Sequence, residues 1–218
     1  MIHINADVED NPQDDLLQHL TAINIACGGH FGNSETMQEA VDKAKRFNLQ
    51  IGAHPGYPDP ANFGRLELDM PLDAVAQTVF EQIQALAAHT KEIRHVKPHG
   101  ALYNQAVNNE ALAYAIAQGA ARFSKQLTLV GLANSKMVTV FAGAGFVTQA
   151  EAFADRRYNP DGTLVSRKLP NALITNPAEA AAQALRLAQT GAVQTICIHG
   201  DTPGAAAIAR AVAQALIL

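Results

Sequence analysis

The chain has 218 residues, of which 48% are hydrophobic and 17% charged, with 16 Lys and Arg against 20 Asp and Glu. That composition excludes intrinsic disorder, collagen and coiled coil. The mild negative charge, with no basic run, argues against a nucleic-acid or anionic-membrane partner. Two cysteines, Cys27 and Cys197, make no disulfide framework. With no basic-then-apolar leader in the first residues, they point to the reducing cytoplasm. No stretch of 18 apolar residues occurs, since Arg210 breaks the apolar run near the C-terminus.

The predicted elements alternate along the chain. Residues 2–6 and 22–27 read as strands, and a helix follows from Ser34 as N-cap to about Phe47. A third strand, 50–53, leads into a long irregular segment, 54–70, rich in Pro, Gly and Asp. After Pro71, Leu72, Val75, Val79, Ile83 and Leu86 fall three and four apart and make one apolar helical stripe. Then come strand 94–97, helix 109–123, strand 127–131, helix 135–142 and strand 146–150. A second irregular segment, 153–172, precedes helix 177–189, strand 195–199 and helix 204–216. Short apolar strands alternating with alanine-rich helices predict an all-parallel α/β fold. No linker or composition shift divides residues 1–218, so they read as one domain.

Polar residues gather just after the strands, the edge where parallel α/β folds open their connecting loops to ligands. Asn5 and Asp7 close the first strand, and Cys27-Gly28-Gly29-His30 the second. His54-Pro55-Gly56 follows the third and Lys97-Pro98-His99-Gly100 the fourth. Glu151, Asp155, Arg156 and Arg157 follow the sixth, and His199-Gly200-Asp201-Thr202-Pro203 the last. A lone histidine at a strand end is commonly structural. Four of them beside Gly or Pro, which permit close approach and fix direction, indicate a site. Asp7 suits a turn or cap as well as a pocket, and Asp201 suits the start of the last helix. Lys97 at a strand end suits an anionic ligand. Of the arginines in the long loops, Arg65, Arg156, Arg157 and Arg167, some brace carboxylates and some remain for a carboxylate or phosphate. His19 and His89 read as helix-surface residues, and His3 and His95 as strand residues. Glu39, Asp42, Asp73 and Glu81 read as solvated, and both cysteines as core. There is no P-loop, dinucleotide fingerprint, nucleophile elbow, H-E-x-x-H or C-x-x-C.

Five stretches carry a resemblance. They are Ile23-Asn24-Ile25-Ala26-Cys27-Gly28-Gly29-His30, Ile51-Gly52-Ala53-His54-Pro55-Gly56-Tyr57-Pro58-Asp59, Val96-Lys97-Pro98-His99-Gly100-Ala101-Leu102-Tyr103-Asn104, Phe153-Ala154-Asp155-Arg156-Arg157-Tyr158, and Thr195 through Gly204. In this order, and over nearly the whole chain, they resemble the LamB/YcsF family of 5-oxoprolinase A-type subunits. The resemblance implies a distorted seven-stranded (β/α) barrel of the glycoside hydrolase/deacetylase type. It also implies ATP-dependent opening of 5-oxoproline to L-glutamate, with Mg²⁺ accompanying ATP, in a complex with two other subunits, of B and C type. The first motif departs from the family: Asn5 and Asp7 match, while His3 and Glu9-Asp10 stand where the family has other residues. Asn33 replaces a common Asp, and the loop after the first strand and the insert before the last are short.

On this reading Asp7 with His30 or His54 activates water. Lys97 and Arg156 hold the substrate carboxylate or the phosphorylated oxygen, and Asn5, Tyr103 and Asp155 bind substrate. His99 and His199 move protons, with Asp201 orienting His199. Asp7→Asn and Lys97→Met are expected to stop turnover without unfolding the chain. Two rival readings are a metal-dependent deacetylase-type hydrolase acting alone, with Asp7, His30 and His54 as ligands, and a non-catalytic lactam-binding subunit.

Overall fold

A computed structural model of the chain describes residues 2–9 and 12–216; Asp10, part of the altered first motif, lies outside them. Among the described residues run seven strands: β1 (His3–Val8), β2 (Ala22–Ala26), β3 (Gln50–His54), β4 (Ile93–Val96), β5 (Thr128–Leu132), β6 (Val147–Phe153) and β7 (Thr195–His199). Around them run α1 (Asp14–Leu17), α2 (Ser34–Arg46), α3 (Leu72–Ala87), α4 (Gly100–Ala106), α5 (Glu110–Phe123), α6 (Lys136–Gly143), α7 (Pro177–Gln189) and α8 (Ala205–Leu216). The strands pair in parallel in chain order, and β7 closes on β1, with His3 opposite Thr195 and Asp7 opposite His199. The barrel is distorted at β4. The β3–β4 register shifts at Ile51/Gly52, and only His95 and Val96 pair with β5.

Side chains alternate across a strand, and here the alternation separates two chemistries. Ile4, Ala6, Val8, Ile23, Ile25, Ile51, Ala53, Val96, Ile196 and Ile198 are buried against the helices. The helices answer with Met37, Val41, Val75, Val79, Ile83, Leu86, Ile116, Ile208 and Val212. The opposite faces meet in the lumen as Asn5, Asp7, Asn24, His54, His95, Glu151, Thr195 and Cys197, and all are buried. Barrels of this kind are usually filled by branched apolar residues; this one has a largely polar lumen. Such a filling is stable only when every group finds a partner. Asn24 meets that demand: its amide donates to Asn5 at 2.7 Å and Asp7 at 2.8 Å, while its carbonyl faces His95 Nε2 at 2.7 Å. His95 fits only because Gly52, its β3 neighbour, has no side chain; a β-carbon there would overlap the imidazole.

The sequence pattern places the strands and most helices within a few residues, and the structure differs from it in four places. The cap of α2 is Asn33, not Ser34: its side chain accepts from the Glu35 and Thr36 amides, and Thr36 returns the bond. Leu72, first in the apolar stripe of α3, is exposed. α1 and α4 have no counterpart among the predicted elements; α4 begins at Gly100 with φ +54°, hidden behind a Pro-His-Gly string that reads as a turn. β6 runs on to Phe153, which puts Glu151 inside the barrel wall instead of after it. Among the described residues no helix is long and apolar enough to cross a membrane.

Gly52→Ala drives a methyl into His95 and breaks the Asn24 bond. The expected cost is about 1–3 kcal/mol, read as a lower urea midpoint with an unchanged slope.

Candidate active site in the barrel mouth

The chemistry gathers at the carboxyl ends of the strands, in a cavity of about 440 Å³. At its floor is Lys97, the residue following β4, only 2% exposed. Its ammonium lies 2.9 Å from Asp7 Oδ1, 3.0 Å from Glu151 Oε1 and 3.0 Å from Cys197 Sγ, with the Phe153 ring beneath it at 5.1 Å. Burial works against the charge on Lys97, but Asp7, Cys197 and Glu151 outweigh it and hold the amine well above its ordinary value. Burial likewise opposes ionisation of Asp7, yet His54 and Lys97 carry it well below the carboxylate range. Glu151 goes the other way: fully buried, it is raised despite Lys97, and it accepts from Asn5 Nδ2 at 3.0 Å and the Tyr103 hydroxyl at 3.1 Å. Asp7 is therefore the stronger counter-ion of Lys97.

One wall is built of histidines. His54 Nδ1 donates to the Lys97 carbonyl at 2.7 Å, and its Nε2 lies 3.4 Å from Asp7 Oδ2. His99 Nδ1 approaches the same His54 Nε2 at 3.0 Å. His30 stacks flat on His99, with centroids 3.6 Å apart and planes 4° from parallel. Gly64 and Gly100 let the backbone close around this group: a β-carbon on Gly100 would stand 2.6 Å from the Gly64 carbonyl, which instead accepts from Ala101 at 3.0 Å.

The opposite wall is His199, stacked on Phe153. Asp155 holds it twice, accepting from Nδ1 at 3.0 Å and from the backbone amide at 3.0 Å, and also accepts from the Thr202 hydroxyl at 2.6 Å. Burial opposes the charge on Asp155, but His199 and Thr202 prevail and lower it. With Nδ1 bonded to Asp155, Nε2 is the ring nitrogen of His199 left for a ligand. Across the mouth, Asp201 accepts from Arg65 at 2.9 Å and Arg167 at 2.8 Å, tying together the loops after β3, β6 and β7.

Of the residues expected at the site, Asp7, His54, Lys97, His99, Tyr103, Arg156, His199 and Asp201 line the cavity. Three do not. Asn5 lies below it and braces Asn24, Glu151 and Thr195. Asp155 is sealed off, its oxygens spent on His199 and Thr202, so it positions a side chain instead of binding substrate. His30 is packed behind His99. Asp201 does not orient His199; Asp155 does, because Asp201 is turned to the arginines. Arg156 lines the cavity, but one guanidinium nitrogen is committed to the Val165 carbonyl at 2.7 Å, and burial lowers it to about 10. Lys97 is not a structurally neutral target for substitution. Removing its ammonium strands two buried carboxylates, a change that costs about 3–5 kcal/mol, so Lys97→Met is expected to lower stability as well as activity. Glu9, Glu151 and Asn24 have no role assigned by the sequence pattern. The signal for Glu151 is its place in the alternation Gln149, Glu151, Phe153, the lumen-facing side of a strand.

Asp155→Asn is expected to cost about 2–4 kcal/mol at neutral pH. A carboxylate lowered on folding contributes stability above its unfolded value, and that contribution is lost as pH falls through the folded value. The gap between the variant and the wild type should therefore narrow below about pH 4, as followed by urea unfolding at several pH values.

The LamB/YcsF family profile matches residues 3–217. The A-type subunit of a 5-oxoprolinase from Chloroflexus aurantiacus is 45% identical over 93% of this chain and 87% of its own. Among solved structures, a lactam utilization protein from Thermus thermophilus superposes with a TM-score of 0.90 at 36% identity, covering 99% of this chain and 96% of that one. A family 4 carbohydrate esterase from Streptomyces lividans shares the fold at a TM-score of 0.52 and 12% identity, over the whole of this chain and 88% of that one. With matched sequence along the whole barrel, the chain belongs to the LamB/YcsF family.

Proposed function

We propose that this chain opens 5-oxoproline to L-glutamate as the A-type subunit of an ATP-coupled 5-oxoprolinase, working with two further subunits of B and C type. The observation that supports this most is the cavity itself. It has a buried Lys97–Asp7 pair at its floor, a fixed histidine on each side, and Arg65, Arg156 and Arg167 at its rim. That lining suits a small anion carrying a polar ring.

An unactivated lactam resists water because its carbonyl shares the nitrogen lone pair. Phosphoryl transfer from ATP to the amide oxygen removes that resistance and makes the ring carbon electrophilic. One water then adds to that carbon as the C–N bond breaks and the nitrogen takes a proton. A second water releases the phosphoryl group as phosphate, giving L-glutamate, ADP and phosphate in balance. In the proposed division of labour Asp7, steadied by His54, orients the attacking water, and His199, fixed by Asp155, takes a proton from solvent on Nε2 and passes it to the ring nitrogen. Lys97 and the rim arginines stabilise the oxygen-borne charge and the substrate carboxylate. The chain has no P-loop, so ATP is engaged jointly with the partner subunits or through backbone and Lys/Arg contacts.

Glutamate release from 5-oxoproline and ATP tests this reading. All three subunits together are expected to turn over, and this chain alone to show almost none. Strong turnover by the isolated chain would remove the need for partners, and turnover of that chain without ATP would favour the solitary hydrolase. No glutamate from the full complex would end the lactam reading. His199→Gln in the complex is expected to lower kcat about 10²–10⁴-fold with little change in melting temperature.

A further inference from the structure

The histidine wall contains a contact that neutral imidazoles cannot satisfy. A carbonyl oxygen only accepts, so His54 Nδ1, 2.7 Å from the Lys97 carbonyl, carries a proton, and so does His99 Nε2, 2.9 Å from the Phe63 carbonyl. The remaining nitrogens, His54 Nε2 and His99 Nδ1, therefore both present lone pairs, and they face each other at 3.0 Å. Beside them His30 is 1% exposed, and neither of its ring nitrogens has a hydrogen-bond partner. An extra proton on His54 Nε2 would serve both His99 Nδ1 and Asp7 Oδ2, 3.4 Å away, and would still leave both nitrogens of His30 unsatisfied. Glu9 completes the group: one donor atom each from Glu9, His30, His54 and His99 lie within 4.8 Å of one another, so an ion would draw them in by about 1 Å and tilt His30 off its parallel stack on His99.

We infer that Glu9, His30, His54 and His99 form a binding site for a divalent transition-metal ion, zinc being the best match to three imidazoles and one carboxylate. Two nitrogens bound to one zinc at roughly 2.0–2.1 Å stand about 3.3 Å apart in a tetrahedral site, close to the separation of His54 and His99. Both rings already have the outer bonds that metal-bound histidines use, each donating its other N–H to a backbone carbonyl that fixes ring and tautomer. The Phe63 carbonyl is held in place by backbone in the left-handed region, φ +56°, uncommon for a bulky residue. Glu9 is the only half-buried member, and it lines the cavity with His54 and His99, so an ion there would meet the ligand space. The other cluster of donors, Asp7, Cys197 and His199, differs in kind, because the Lys97 ammonium already sits between Asp7 and Cys197. The metal set therefore exchanges the Asp7 of the sequence reading for Glu9 and His99.

The test uses the full chain, freed of any affinity tag, stripped with chelator and titrated with Zn²⁺ or Co²⁺ alone. It contains neither 5-oxoproline nor ATP, so its outcome is independent of the lactam reading. The wild type is expected to bind one ion per chain, to melt higher with Zn²⁺, and to give Co²⁺ a visible absorption band that Zn²⁺ displaces. Glu9→Gln is expected to weaken binding at least tenfold. His30→Phe keeps the stacking on His99 and removes two unsatisfied nitrogens, so without metal it should melt no lower than the wild type while binding at least a hundredfold more weakly. A folded wild type that takes up no ion at millimolar Zn²⁺ would overturn the inference, as would Glu9→Gln and His30→Phe variants that bind as tightly as the wild type.

Discussion

A single buried ammonium organises this molecule. Lys97 sits where a (β/α) barrel ordinarily keeps an aliphatic side chain, and an unpaired charge there would cost several kcal/mol. Asp7 and Glu151 offset that cost, and they come from β1 and β6, the two strands that flank β7. Each counter-ion needs partners in turn. Asn24 and His54 attend Asp7; Asn5 and Tyr103 attend Glu151. The polar lumen is the set of consequences of that one charge, and Gly52 is the space it requires around His95.

Much of this is legible in the sequence because the barrel is made of short-range regularities. Ile23 and Ile25, or Ile196 and Ile198, announce strands by alternation, and Val75, Val79, Ile83 and Leu86 announce a helix by their three-four spacing. The clustering of histidines after strands locates the cavity for the same reason: all strands of a parallel barrel end on one side. What escapes depends on distance across the lumen. Nothing local favours Asp155 over Asp201 as the partner of His199. Asp201, two residues from His199, is the nearer of the two in sequence, and only the closure of β6 beside β7 brings Asp155 to the imidazole. His30 reads as a site residue in the sequence because Gly28 and Gly29 precede it, and only the fold shows it buried and stacked behind His99. Lys97 is legible as a strand-end residue, but its inward reach is not, since its counter-ions are about ninety and fifty residues away in sequence.

The mouth holds a larger share of the chain's cations than of its carboxylates. The chain carries 16 basic against 20 acidic side chains, whereas the cavity is lined by Arg65, Lys97, Arg156, Arg167 and Lys168 against Asp7, Glu9, Glu67 and Asp201. A concentration of cations at the mouth of a mildly acidic surface draws anions to one place without promoting unspecific binding elsewhere. At the rim, Asp201 is shared by two guanidiniums, each a fork of five N–H donors. One carboxylate uses few of those donors, so the rim is partly bonded within itself and still able to accept another oxyanion.

The closure of β7 on β1 also bears on how the barrel opens and folds. Asp7, Lys97 and Glu151 meet only when β1, β4 and β6 are all in place, and His199 meets Asp155 only when β7 lies beside β6. Pairings this remote in sequence form late and together. Peeling away any one of these strands would leave an unmatched charge facing the lumen, so partial opening is penalised almost as heavily as complete unfolding. The ionic interior, costly as a source of net stability, thereby makes the ring of strands a single cooperative unit, and slow hydrogen exchange should be spread around the whole barrel instead of fading toward β7.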